Sequence, residues 1–218
     1  MLHTRLAPLA RRFSLFAALA LLLGLATPAL AMTVYIFTTL KELAPEQKVK
    51  VADPRPVQLV TEFQTNGATN PKATAYAKPL VLGEVKASGV VGTITDTPAE
   101  GSARLGIVLN NIPDKDAAKK GFGAGLTLGL AGTITGDSYE VTLSYTRPGG
   151  GAPIVRVLDF RILYMIGKKK IPDGAVRVQG MDAAVEQMLH LTISNGLNQI
   201  AADPAFGAVP AAAPAPVQ

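Results

Sequence analysis

His190 is the first residue to weigh for chemistry, because His3 is the only other histidine and the chain has no cysteine. Ser194 follows it by one helical turn, and a hydroxyl beside an imidazole is the raw material of nucleophilic catalysis. Such a site also needs a carboxylate behind the histidine, and the G-x-S-x-G turn that often presents the serine occurs nowhere. A histidine at the edge of a helical apolar stripe reads more simply as a solvent-facing side chain, so no catalytic residue is assigned. Asn110, Asn111, Asp114 and Asp116 gather oxygen atoms of the kind a hard cation such as calcium takes. The run lacks the glycine and closing glutamate of an EF-hand loop, and reads as a turn that ends a strand. Gly149-Gly150-Gly151 precedes a strand-like segment and so lacks the helix N-terminus that cradles phosphate. The absence of cysteine removes zinc-thiolate sites, disulfides and thiol nucleophiles together. No metal site and no cofactor is expected.

A second kind of chemistry is contact. The segment from Gly121 to Gly136, GFGAGLTLGLAGTITG, carries no charge and is entered through Lys119 and Lys120. Gly121, Gly125 and Gly129 recur every four residues, the interval at which small residues let helices approach closely in a membrane. The segment is too short to span a bilayer as one helix. It reads as a buried connection, an inserted hairpin, or a surface for a membrane or partner protein. In the last case the contact residues are Lys119, Lys120, Phe122, Gly125, Leu126, Leu128, Gly129 and Leu130, and a second copy of the chain is among the partners expected.

The first 31 residues carry an address. Arg5, Arg11 and Arg12 precede an uncharged apolar run from Phe13 to Ala26, and Pro28-Ala29-Leu30-Ala31 ends it with small residues. That order describes a secretory signal peptide cleaved after Ala31. A retained anchor is disfavoured because Pro28 would interrupt the helix. Position 32 is Met32, so no lipid-modified cysteine follows the cleavage site. The chain has 21 basic and 16 acidic residues, and removing the three signal arginines leaves 18 basic, a balance of +2. The apparent basicity is therefore largely the signal's, and no nucleic-acid partner is expected. Lys168-Lys169-Lys170 is the one basic cluster, with no aromatic ladder beside it.

The elements that must position these residues follow from periodicity. Residues 32–40 and 57–64 read as strands, with a short extended piece at 49–51. Asn70-Pro71 is a sound helix start, with either a kink at Pro79 or a regular helix from Pro79 to Ser88, capped by Gly89. Strands are expected at 90–95, 104–112, 139–146, 154–166 and 175–179. Leu158, Phe160, Ile162 and Tyr164 share one face of the strand at 154–166, and Asp159 and Arg161 share the other. Asp182 is expected to cap a last helix whose stripe is Val185, Met188, Leu189, Thr192, Ile193, Gly196, Leu197 and Ile200. Residues 207–218 contain almost only alanine and proline and read as a disordered tail.

The sum is a single α+β domain over residues 32–206, an antiparallel or mixed sheet of five or six strands with two helices on one face. From Val57 this order resembles the small α+β accessory proteins of the Gram-negative envelope, most of them outer-membrane lipoproteins. The likeness is carried by Leu126-Thr127-Leu128-Gly129-Leu130 leading to the strand at 139–146, and by the helix before Asp203-Pro204-Ala205-Phe206. It covers about residues 50 to 206. Those families usually carry a lipidated cysteine, which this chain lacks, so neither their anchoring nor any functional residue transfers. The expectation is an exported, non-catalytic protein of the periplasm or cell envelope acting by protein or membrane contact. A periplasmic hydrolase built around His190, or a secreted effector, are the alternatives.

Overall fold

Residues 32–116 and 132–207 are described by a computed structural model, and their alternating apolar runs become one eight-stranded sheet. The elements in chain order are β1 (Thr33–Phe37), a 3-10 turn (Pro45–Gln47), β2 (Val57–Thr65), β3 (Ala68–Thr69), α1 (Pro71–Ser88) and β4 (Ile94–Thr95). Next come β5 (Ala103–Pro113), β6 (Thr133–Thr146), β7 (Ile154–Ile166), β8 (Val176–Val178) and α2 (Gly180–Ala201). The sheet order is β3-β2-β5-β6-β7-β1-β8, with β4 also beside β2. All neighbours are antiparallel except β2 with β5 and with β4. A parallel pair cannot be joined by a tight turn, and α1 supplies the crossover from β2 to β5. The sheet is therefore mixed, and its eight strands exceed the expected five or six; the unanticipated one is the two-residue β3 on β2.

Both helices lie on one face, since α1 packs on β2, α2 packs on β7 and β1, and the helices touch each other. The core between them and the sheet includes Leu105, Ile107, Leu143, Tyr145, Phe160 and Ile162 from the strands and Met188, Ile193 and Leu197 from α2. Helix α1 starts at Pro71, with Asn70 Oδ1 accepting the Ala73 N–H at 3.1 Å. It runs through Pro79 unbroken, so the alternative start at Pro79 is set aside. An interior proline costs about 3 kcal/mol, and burying Val81 and Val85 recovers roughly 1.5–3 kcal/mol each. Gly89, at φ 66°, closes the helix in the left-handed conformation as expected.

The piece at 49–51 lies in a connection and joins no ladder, its Val49 N–H held by a side chain of α2. Three other expectations are corrected. The strand at 90–95 shrinks to β4. Val90 and Val91 are buried and the Gly92 N–H donates to the Arg55 carbonyl at 2.8 Å, but only Ile94 and Thr95 enter the ladder with β2. Strand β6 begins at Thr133 rather than Tyr139, because it pairs with β7 along its length up to Thr133–Ile166. Asp182 does not cap α2. The helix starts at Gly180 with no side-chain cap, and Asp182 lies in its first turn, where a negative charge favours the helix dipole.

Candidate functional site

The residues with titratable chemistry meet where α1, α2 and the segment after β1 converge. His190 lies on α2, and its Nδ1 is 2.9 Å from Glu84 Oε2 of α1. Its Nε2 is 2.6 Å from Glu42 Oε2 in the connection between β1 and the 3-10 turn. Lys48 Nζ lies 3.9 Å from the other oxygen of Glu42. A neutral imidazole has one N–H, so only the protonated ring can donate to both carboxylates. The Glu84 hydrogen bond is the main cause raising the His190 pKa above its usual value; partial burial opposes it, and Glu42 adds to the rise. The sequence expectation that His190 points to solvent is half right: the ring is 41% exposed but bound at both nitrogens.

Helix α2 holds the same connection at two further points. Asn195 Nδ2 donates to the Lys41 carbonyl at 3.0 Å and Asn198 Nδ2 to the Gln47 carbonyl at 3.2 Å. Asn198 Oδ1 accepts the Val49 N–H at 2.7 Å. His190, Asn195 and Asn198 thus tie α2 to residues 41–49. Small clefts open on either side of the imidazole. One, of about 40 Å³, is lined by residues including Glu84, Ser88, His190 and Ser194, and the other, of about 210 Å³, by residues including Thr38, Glu42, Gln187 and His190. The first holds about one water, and the histidine nitrogens beside Ser194 are already committed to carboxylates. The arrangement is that of a charge clamp and not of a base poised beside a nucleophile.

The clamp has a pH signature with a definite sign. A histidine whose folded pKa is raised adds stability that is full below its unfolded value, 6.5, and is lost as pH rises through the folded value. Solvent screening of the 41% exposed ring keeps the effect below about 1 kcal/mol. The melting-temperature gap between wild type and His190→Gln is therefore expected to narrow as pH rises from about 6 to about 9. A gap that widens over this range would contradict the doubly bonded imidazolium.

A second polar cluster occupies the helix-side face at the far end of β5, β6 and β7. Tyr164 Oη donates to Asp137 Oδ2 at 2.9 Å, and Asn111 Nδ2 donates to the same oxygen at 3.4 Å. Burial, reinforced by the Asp137 charge, pushes the Tyr139 phenol up to about 12, and burial raises Tyr164 as well. Both phenols stay neutral donors, and the cluster reads as a hydrogen-bond network. The oxygen-rich run serves strand ends, as expected: Asn110 Oδ1 accepts the Gly67 N–H and Asp114 Oδ2 accepts from Thr135. Among the described residues no three His, Asp or Glu side chains are arranged to hold a metal ion.

The contact residues expected at 119–130 lie outside the described residues, as do the signal and residues 208–218. The sheet face opposite the helices is covered by no described element. Val155 and Val157 of β7 are 43% and 55% exposed there, and Ile112 of β5 is 39% exposed. Asp159 and Arg161 of β7 and Glu140 of β6 stand beside them, all exposed. Among the described residues no helix is long and apolar enough to cross a membrane.

No family model matches the chain. No curated protein matches it either. Among solved structures it is similar to a PelC dodecamer from Paraburkholderia phytofirmans, at 12% identity over 77% of this chain and 98% of that one, with a TM-score of 0.33. It is also similar to a neuraminyllactose-binding hemagglutinin homolog from Helicobacter pylori, at 9% identity over 76% and 94%, TM-score 0.39. A third is a DUF330 protein from Xanthomonas campestris, at 12% identity over 74% and 91%, TM-score 0.36. At these identities and TM-scores the likenesses assign no activity.

No local pattern marks Glu42 and Glu84 as partners of His190, from which they are 148 and 106 residues distant.

Proposed function

We propose that this is an exported, non-catalytic protein of the periplasm or cell envelope that acts by contact with a protein or membrane surface. The observation that carries the reading is the helix-free sheet face, which presents Ile112, Val155 and Val157 to solvent. A sheet face without a partner layer normally carries polar residues, and exposed valines on it mark a surface with something to cover. The His190 clamp supports the same reading, because its geometry ties elements together and leaves no free base. The run from Arg5 to Ala31 supports export, and Met32 in place of cysteine supports attachment through contacts and not through a lipid.

The test is to express the tagged full-length gene, fractionate the cells and sequence the N-terminus of the product. The expected product begins at Met32 and co-sediments in part with envelope membranes. An intact N-terminus in the cytosolic fraction would sink the reading, and recovery mainly from culture supernatant would favour the secreted effector.

A further inference from the structure

We propose that the helix-free sheet face is where two copies of this chain pair, β7 of one lying antiparallel over β7 of the other about a two-fold axis that crosses the strand at Phe160. This rests on the reading of the protein as one that acts by contact, and adds the partner and the register.

The outward residues of β7 are Val155, Val157, Asp159, Arg161, Leu163 and Met165, in the order apolar, apolar, acid, base, apolar, apolar. An axis lying between two such faces and across the strands, at residue 160, exchanges positions equidistant from it. Asp159 then meets Arg161 of the second copy, Val157 meets Leu163, and Val155 meets Met165. Each contact occurs twice, as an isologous interface requires. An axis along the strand would set Asp159 on Asp159 and Arg161 on Arg161, so the charges select one of the two arrangements.

The neighbouring strands sharpen the match. Glu140 of β6 stands directly opposite Asp159 in the ladder, a like-charge pair that destabilises a sheet. No ion pair relieves Glu140, Asp159 or Arg161 among the described residues. A second copy would lower its Arg161 onto this acidic pair. The shape agrees as well. Gly136 is the β6 partner of Leu163, and the Leu163 side chain lies over it, sunk to 4% exposure. The most exposed apolar residue of β7, Val157, is the one the axis places over Leu163. The outward stretch 155–165 is about 35 Å long and the strands β5, β6, β7 and β1 are together about 19 Å wide. That is on the order of 700 Å² per partner, near the ~800 Å² of a standard stable interface.

Sedimentation velocity on the exported protein tests this. Wild type is expected to dimerise. Arg161→Asp makes the central row wholly acidic and should weaken association by about a hundredfold or more. Asp159→Arg makes it wholly basic. Mixing the two variants should restore a one-to-one dimer, and the double swap D159R/R161D should again pair with itself. These side chains are exposed, so all variants should melt near the wild-type temperature. A monomeric wild type overturns the proposal, as does a dimer indifferent to Arg161→Asp or a mixture that stays apart. A monomer that still co-sediments with envelope membranes would sink the pairing alone, whereas a charge-swappable dimer found in the cytosol would sink only the envelope reading.

Discussion

Phe160→Ala is expected to remove about 3–5 kcal/mol of folding stability, the usual range for truncating a buried aromatic ring. Phe160 is 1% exposed on the helix side of β7, opposite Tyr139 of β6, and belongs to the core beneath α2. Deleting the ring removes its transfer free energy and leaves a cavity that a sheet paired on both sides cannot close. At about 2–4 °C per kcal/mol for a domain of this size, the midpoint should fall by roughly 6–20 °C. Chemical denaturation read by circular dichroism checks the value. Val157→Ala, three positions away on the outward face, is the control and should change stability by no more than about 0.5 kcal/mol. Equal losses at the two positions would mean that the faces of β7 have been assigned wrongly.

The second large effect is expected at a glycine. A Cβ on Gly136 would lie 2.3 Å from the Ile162 carbonyl oxygen and 3.1 Å from Leu163 Cα, both backbone atoms of the paired strand. Backbone cannot rotate aside as a leucine tip can, so Gly136→Val must spread β6 from β7. The expected cost is about 1–3 kcal/mol or more, measured by the same denaturation. Gly83→Ala should move stability the other way. Gly83 is exposed within α1 with nothing near its missing Cβ, and alanine there should stabilise by roughly 0.5–1 kcal/mol. Opposite signs would separate lack of space from loss of glycine's flexibility; two losses would argue against this account.

These two glycines show how far residue types can be read before folding is known. Gly136 closes the uncharged run that suggested a contact segment. Its role in β6 follows from pairing with residues 26 and 27 positions later, and no local pattern reports a strand partner's carbonyl. The long alternating strands were legible because period two is local: Leu158, Phe160 and Ile162 are buried on the expected face. The last helix was legible for the same reason, and Met188, Leu189, Ile193 and Leu197 are buried as the stripe requires. The two-residue strand β3 was not, since two residues carry no period and it exists only because β2 offers it an edge; β4 is the remnant of the strand expected at 90–95.

By itself the sequence determined the α+β composition, the inward and outward faces of the strands, the α2 stripe and the absence of cysteine chemistry. It also set the order acid-then-base at the centre of β7, flanked by apolar pairs. Tertiary structure alone decided that the sheet is mixed, that both helices take the same face, and that Val155, Val157, Asp159 and Arg161 of β7 are exposed on the other. It alone brought Glu42 and Glu84 to the two nitrogens of His190. The reason is physical: periodicity and capping depend on neighbours within a few residues, whereas charge pairing and coverage of a face depend on which distant segments share a few ångströms.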